Sequence, residues 1–558
     1  AASARAWVAA AGLAGAVTTL LRWWAVRNRR EYTLWPDEPA QLAIARLIGG
    51  GTHWTMRNQS TWRPGYGTLL GPVYAVTDDP ERVFRAAMAI NGVLGGLAAV
   101  LLVVLARRLT AFGPLGAGMA ATAVCATPAL LFTTGFVWAE SLIAPVFLGA
   151  LLALVRFWET PSMRRGVGLA VLCGAGFVTH SRLLPLSLVT LLLVAMAVER
   201  RALRPRDAGV VVAALGTVLA AVARYSAWVT DRLWDEPSTR NSLQGVIEQL
   251  ANPLAVVESG LGQTWYLLAG SLGVVALGAV EVVRRANHRG PFFVVALVVV
   301  AHVALSVVFM ADRWRADQVI YGRYNDPVVA PLLLVGMACL ANRAPGAWPR
   351  PRVVRVLVIT WCATLGLGLT MWLARGDELR ESNGLEPMIL AIQPFVDGRP
   401  MIPLVRLSLL AITAGVVLLA GRLVGRAVGV AVVVAALLVV ATLRTEDVID
   451  AGWNGSGGLQ SVGRLDDPGG PLSGGAPVDY YLPAASNATG RLMLYQWYLP
   501  HSDFTVVGQP LVQASSPYVF AERDNVVLRE AGAEIVWTDP LRPIALWRRP
   551  SATADRNG

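Results

Sequence analysis

The stretch VFRAAMAINGVLGGLAAVLLVVLARR, residues 83–108, decides the fold class. Between Val83 and Leu105 the one charge is Arg85, and the run stops at the pair Arg107 and Arg108. As a helix, Val83 to Leu105 rises about 34 Å, enough to cross a hydrocarbon core of about 30 Å. Twelve further runs read the same way: 6–25, 114–134, 139–157, 166–180, 183–199, 208–224, 262–283, 291–311, 326–342, 353–374, 403–420 and 427–443. The chain is therefore read as a polytopic α-helical membrane protein with about thirteen transmembrane helices. The first run has Arg5 before it and no small-residue cleavage site after it, so it is expected to remain as a helix rather than leave as a signal peptide.

Composition agrees. Of 558 residues, 55% are hydrophobic and 15% charged, and the mean hydropathy is +0.51. Soluble domains carry about 25% charged residues, so this chain cannot cover a water-facing surface. The same numbers exclude disordered, collagen-like, coiled-coil and disulfide-scaffold proteins. The net charge is +11, and every basic residue is arginine, which suggests a high-GC bacterial source. No recognition motif accompanies the charge, so nucleic acid is not an expected partner. Cys125, Cys173, Cys339 and Cys362 all lie in apolar runs and read as small core residues.

The arginines orient the chain. With the N-terminus in the cytoplasm, the inner loops hold Arg107 and Arg108; Arg164 and Arg165; Arg200, Arg201, Arg204 and Arg206; Arg284, Arg285 and Arg289; Arg343, Arg350, Arg352 and Arg355; and Arg422 and Arg426. That is the positive-inside pattern, and an odd number of spans places the C-terminus outside. The outer loops at about 26–82, 225–261 and 375–402 are the long ones, which places the working face outside. The expected division is a membrane domain over 1–445 and an extracytoplasmic domain over 446–558. Residues 444–480, rich in Gly, Asp, Pro and Ser, read as a linker. Beyond them RLMLYQWYL, FTVVG, PYVFA, AEIVWTD and IALWRR read as strands and NVVLREAGA as a short helix, giving a small α/β domain. The sequon Asn487-Ala488-Thr489 falls here and would be incidental in a bacterium.

The first outer loop carries the chemistry. It opens with Trp35-Pro36-Asp37-Glu38-Pro39 and continues as AQLAIARLIGG, an apolar segment with helical spacing at Leu42, Ala45 and Leu47 that reads as an interfacial helix. On spacing alone the paired acids read first as capping of that helix, with catalysis as the sharper alternative. Arg22, Arg27, Arg29, Arg30, Arg46, Arg57 and Arg63 stand in or beside this loop against the charge rule. They can pair with lipid phosphates or bind an anionic lipid-linked substrate. Further on, His53, Trp54, Trp62, Arg63, Tyr66 and Tyr74 form either an aromatic belt or a binding surface for a sugar or isoprenoid phosphate. Glu140, the run His180-Ser181-Arg182, and Arg323 with Tyr324 all map to outer helix ends on the same face as Asp37. Ionisable groups at such depths are functional candidates, with snorkelling and helix-end pairing as the plain alternative.

In this order and topology the sequence resembles the GT-C glycosyltransferases, polytopic membrane enzymes that use polyprenyl-phosphate sugars. WPDEPAQLAIARL matches the Asp-Glu at the start of a long first outer loop. WRPGYGTLLGPVY matches the aromatic, proline-bearing stretch after it, and ERVFRAAMAINGVLG the Arg- and Asn-bearing span. WAESL matches a later acid, and THSRLLP and GRYNDPVVAP look like phosphate-facing segments. The resemblance covers the N-terminal 200 residues and the span count, and fades in the C-terminal domain. It implies an inverting enzyme at the outer face of a bacterial plasma membrane. Asp37 would be the general base, with Glu38 beside it. Arg182 and Arg323, helped by Tyr324 and His180, would hold the donor phosphate. Glu140, His53, Trp62, Arg63 and Tyr66 would bind substrate, with Glu38 or Glu140 orienting the acceptor or taking a divalent cation. No metal is expected to be obligatory. The donor would be a polyprenyl-phosphate sugar, arabinofuranose before mannose. The acceptor would be a cell-envelope glycan, lipoglycan or protein hydroxyl, and the source an actinobacterium. A transporter or flippase of lipid-linked sugar, and a surface-polysaccharide polymerase or ligase, are the competing readings. A scaffold of wall assembly would leave the converging acids and arginines without a purpose.

Overall fold

The computed structural model describes residues 3–30, 37–51, 54, 56, 62–234, 243–288, 290–312, 316–346, 348–380, 389–396, 402–453, 460–481, 489–508, 515–540 and 542–550. The chain is a multi-pass bundle. Its unbroken spans are α1 (Ala4–Ala25), α4 (Pro80–Leu109), α7 (Glu140–Glu159), α9 (Leu184–Glu199), α10 (Pro205–Leu233), α14 (Pro291–Phe309), α16 (Arg350–Arg380) and the two halves of α17 (Leu404–Trp453). Proline at the first turn starts α4, α10 and α14, where its missing N–H would have no partner anyway. Among the described residues nine helices are long and apolar enough to cross a membrane, and eleven if each of two bent pairs counts once. The remaining two of the thirteen segments are the shorter helices α8 (Met163–Thr179) and α15 (Asp326–Leu340).

The bends are what sequence hydropathy misses. The segment 114–134 is α5 (Pro114–Cys125) followed by α6 (Pro128–Leu131) and a 3-10 turn over Phe132–Gly135, bent by 69°. Arg22 of α1 reaches into the break: Nη2 donates to the carbonyl of Cys125 at 3.3 Å and Nη1 to Thr134 Oγ1 at 3.0 Å. A buried cation at a helix C-terminus suits the helix dipole. The segment 262–283 is α12 (Pro253–Gly270) and α13 (Val274–Arg285), bent by 110° at Leu272 and Gly273, both with positive φ. In α17 the chain reverses between two glycines: a Cβ on Gly429 would lie 2.0 Å from the Gly421 carbonyl, whereas eight residues of straight helix span about 12 Å.

The loop after the first span contains α2 (Asp37–Gly49) and α3 (Gly65–Tyr74). Residues Glu38 to Arg46 of α2 are all buried, so this helix is enclosed by protein rather than lying with one face free. Gly67 and Gly71, one turn apart on α3, allow the approach: a Cβ at either would come within 2.6 Å of Ile44 or Ile48. Short helices α11 (Leu243–Leu250) and α18 (Gln460–Gly463) complete the connections.

The C-terminal sheet has the order β2-β1-β3-β5-β4, built from β1 (Val478–Tyr481), β2 (Phe504–Val507), β3 (Tyr518–Glu522), β4 (Glu534–Thr538) and β5 (Ile544–Arg548). FTVVG, PYVFA, AEIVWTD and IALWRR are strands and NVVLREAGA contains α20 (Val526–Glu530), as expected. RLMLYQWYL is not a strand but helix α19 (Thr489–Tyr498), and β1 arises inside the stretch read as linker. β1 pairs in parallel with both β2 and β3. Parallel neighbours need a crossover, and α19 supplies it despite its strand-forming residues. The helical spacing of Leu492, Tyr495 and Leu499, all buried, fits that role. The sheet domain docks on the first loop. Arg46 donates to the Pro500 carbonyl. Trp54 meets Trp497 edge-on at 6.3 Å, and His501 Nδ1 lies 3.4 Å from Asp78. The ion pair of Arg27 with Glu446 joins the ends of α1 and α17 on that same side.

Candidate active site

Four chain segments meet where helices begin: Asp37 at α2, Glu140 at α7, Arg182 before α9 and Arg323 before α15. Glu140 is the hub. Its Oε1 accepts from Arg323 Nε at 2.7 Å and from Arg182 Nη2 at 2.8 Å. Arg323 Nη2 continues to Asp37 Oδ2 at 2.5 Å, and Trp62 Nε1 donates to Asp37 Oδ1 at 3.0 Å. Two donors thus fix the plane of the Asp37 carboxylate. Its side chain is 24% exposed, against 1% for Glu140, so Asp37 is the acid of the cluster within reach of a substrate.

An aromatic slab underlies the arginines. Phe136 and Trp138 stack at 3.9 Å, and the Arg323 guanidinium lies 3.9 Å over Trp138. Arg29 covers Phe136 from 5.5 Å. Burial alone would lower the guanidinium pKa of Arg323, but the Glu140 and Asp37 carboxylates outweigh it and hold it well above the ordinary value. Arg182 lies 4.5 Å over Tyr324, whose ring meets His180 edge-on at 5.6 Å. The Arg182 backbone N–H donates to His180 Nδ1 at 3.2 Å, which assigns the ring proton to Nε2. Burial raises the Tyr324 phenol above its ordinary value, outweighing Arg182 and Arg323, so its hydroxyl keeps a proton to donate. Arg182 is buried, yet its Nε and Nη1 have no hydrogen-bond partner among the described residues. The site therefore pairs an oriented carboxylate with a cluster of unspent donors.

Asp37, Glu140, Arg182, Arg323, His180, Tyr324 and Trp62 are neighbours in the structure. Glu140 spends its Oε1 on two arginines, while its buried Oε2 has no hydrogen-bond partner among the described residues. Glu38 does not join them. It is fully buried, accepts from the Val137 backbone N–H at 2.9 Å and lies 3.9 Å from Arg29, so it fixes the slab segment instead of serving as a second base. Tyr66 is likewise buried and donates to Asn91 Oδ1 at 2.6 Å, while Asn91 Nδ2 bonds the carbonyls of Thr134 and Phe136. Arg63 stacks 4.1 Å over Phe177. His53 lies outside the described residues, as do Trp35, Pro36 and Asn487. Among the described residues no group of three or more His, Cys, Asp or Glu side chains gathers as a metal site. Trp138 is the site residue that the sequence does not mark, because a tryptophan in an apolar run carries no chemical signal of its own.

The helical arrangement is GT-C-like, as a comparison with solved structures shows. Over 99% of both chains it is similar to ArnT from Cupriavidus metallidurans bound to undecaprenyl phosphate, with a TM-score of 0.55 at 16% sequence identity. The apo state of that protein matches at 0.54, over 98% of both chains and at 16% identity. The arabinosyltransferase EmbB from Mycobacterium smegmatis matches at 0.41 and 14% identity, over 78% of this chain and 41% of that one. At these identities the likeness is one of fold. No protein-family model matches the sequence, and neither does any curated protein.

Proposed function

We propose that this chain is an inverting glycosyltransferase that takes a sugar from a polyprenyl-phosphate donor at the outer face of a bacterial plasma membrane. The observation that carries the reading is the Asp37–Arg323–Glu140–Arg182 chain, with a partly exposed, oriented carboxylate at one end and, at the other, guanidinium donors that have no partner among the described residues. The ArnT likeness supports it, since that protein is seen with undecaprenyl phosphate.

The chemistry follows from the geometry. An acceptor hydroxyl attacks the anomeric carbon of the donor, and its proton passes to Asp37. The bond from that carbon to the phosphate oxygen breaks on the opposite face, and the polyprenyl phosphate leaves with the electron pair, so the configuration inverts. Negative charge grows on the leaving phosphate. Arg182 Nε and Nη1, the Tyr324 hydroxyl and the His180 Nε2 proton are the donors that receive it. A guanidinium fork suits phosphate better than a point charge. Trp62 borders the carboxylate through its N–H on Oδ1.

The division at about residue 445, a cytoplasmic N-terminus and an extracytoplasmic sheet domain over the site complete the proposal. The sheet domain's contacts with the first loop support the last of these. Arabinofuranose is the favoured donor sugar and mannose the next, because an arginine-only, high-GC chain fits an actinobacterial envelope rich in arabinofuranose. A cell-envelope glycan, lipoglycan or protein hydroxyl accepts it. The test is sugar transfer by the purified, lipid-reconstituted protein from a panel of short-chain polyprenyl-phosphate sugars. Asp37→Asn, still folded, should lower transfer by about 10²–10⁴-fold. Lipid-linked sugar crossing the vesicle bilayer with no transfer from any donor would instead favour a flippase.

A further inference from the structure

The turn that presents Arg323 is held from α12, at a place the reaction itself does not touch. Asn325 and Asp326 both donate backbone N–H groups to the Gly322 carbonyl, at 2.7 and 3.2 Å. Two α12 side chains then pin this turn. Gln263 uses all four of its hydrogen-bonding positions: Nε2 donates to Ser259 Oγ at 3.0 Å and to the Ser306 carbonyl at 3.3 Å, while Oε1 accepts from Ser306 Oγ at 2.9 Å and from Asn325 Nδ2 at 2.7 Å. Its amide therefore has one orientation, and so has Asn325.

Tyr266, one helical turn on, closes the clamp. Its hydroxyl donates to the Asp326 carboxylate, with oxygens at 2.9 and 3.1 Å, and accepts from the backbone N–H of Ala391 at 2.8 Å. Its ring occupies the space of any side chain at position 322, where a Cβ would lie 1.7 Å from Cε1. Gln263, Tyr266, Asn325 and Asp326 are all buried. One phenol thus joins three stretches: α12, the turn bearing Arg323, and the 389–396 segment that precedes α17.

We infer that Gln263 and Tyr266 are positioning residues for Arg323 and, through it, for the Asp37 carboxylate, and that the Tyr266 hydroxyl ties this placement to the 389–396 segment. Arg323 can bridge Asp37 and Glu140 while stacked on Trp138 only from a fixed backbone, and a misplacement of about 1 Å can cost about 10²-fold in rate. The inference rests on the glycosyltransferase reading for its kinetic consequence and on geometry for the rest.

Tyr266→Phe removes one oxygen and keeps the ring. Structures of the wild type and this variant in nanodiscs should show the Arg323–Asp37 pair opened in the variant, and a pair unchanged there overturns the inference whether or not any sugar is transferred. With a working donor, the variant should lose about tenfold or more in kcat, with donor KM within about threefold. Added to Arg323→Lys it should cost less than about threefold further. General loosening would lower both backgrounds alike and overturn the positioning role. If Tyr266→Phe does not fold, Gln263→Met, which frees Asn325, is put through the same structure and the same cycle with the same expected outcome. Failure of the wild type to transfer sugar would count against the glycosyltransferase reading alone, leaving the structural comparison to decide the clamp.

Discussion

Replacing Arg182 by alanine removes two donors, Nε and Nη1, that have no partner among the described residues. Arg182 bonds Glu140 through Nη2, and Glu140 keeps Arg323 Nε on the same oxygen when Arg182 is gone. The cluster therefore loses a phosphate ligand without leaving its carboxylate stranded, and the variant should fold. Hydrogen bonds to charged groups are worth about 1.5–3 kcal/mol each, so Nε and Nη1 together should contribute about 3–6 kcal/mol to a transition state in which the phosphate gains charge. At about 1.4 kcal/mol per tenfold, that is a fall of about 10²–10⁴ in kcat/KM. Arg182→Lys keeps the charge over Tyr324 but loses the fork, and should fall between, at about 10–10²-fold. The assay is single-donor transfer by reconstituted protein, with elution as one monodisperse peak as the folding control. An Arg182→Ala protein that is folded and within about threefold of wild type would refute the assignment of those donors to the leaving phosphate.

Other changes have separate signatures. Trp62→Phe keeps the ring beside Trp234 but removes the N–H on Asp37 Oδ1, so kcat should drop about tenfold or more while donor KM holds, as initial rates will show. Glu140→Gln takes the anion from between two buried guanidiniums, a change of the kind that costs about 3–5 kcal/mol. It should lower the temperature at which the detergent-solubilised protein aggregates, and an unchanged midpoint would count against Glu140 as the hub. The Tyr324 phenol is raised above its ordinary value, so the folded protein holds that proton longer than the unfolded chain. Any stability lost through it lies above about pH 10, and Tyr324→Phe should leave the shape of the activity profile between about pH 7 and 9 unchanged while lowering its height.

Much of this arrangement was legible in the sequence because membranes impose strong rules. Length and hydropathy locate the helices, arginines sort the loops, and a charge at a helix end stands out against alanine and leucine. Asp37, Glu140, Arg182 and Arg323 were visible for that reason. Direction was not visible. Asp37 and Glu38 are neighbours in the chain, but successive residues of a helix point about 100° apart, so Asp37 faces Arg323 while Glu38 is buried against Val137 and Arg29. Gln263 and Tyr266 were hidden because a glutamine and a tyrosine in an apolar helix look like ordinary belt residues, and their partners lie about 60 positions away. The bends at Cys125–Pro128 and Leu272–Gly273 were hidden because hydropathy averages over a window and registers no change of axis. In the sheet domain, local preference favoured a strand at 491–499, and the long-range demand of parallel pairing overrode it.

Helix α2 begins at Asp37 and reaches the sheet domain through Arg46, near its other end. Nine residues of helix make a rod of about 14 Å, enclosed by protein along that length. One buried helix therefore runs from the Asp37 carboxylate to the contact with the sheet domain. On the glycosyltransferase reading proposed above, an acceptor that touches the sheet domain would press on the far end of the rod whose near end carries Asp37.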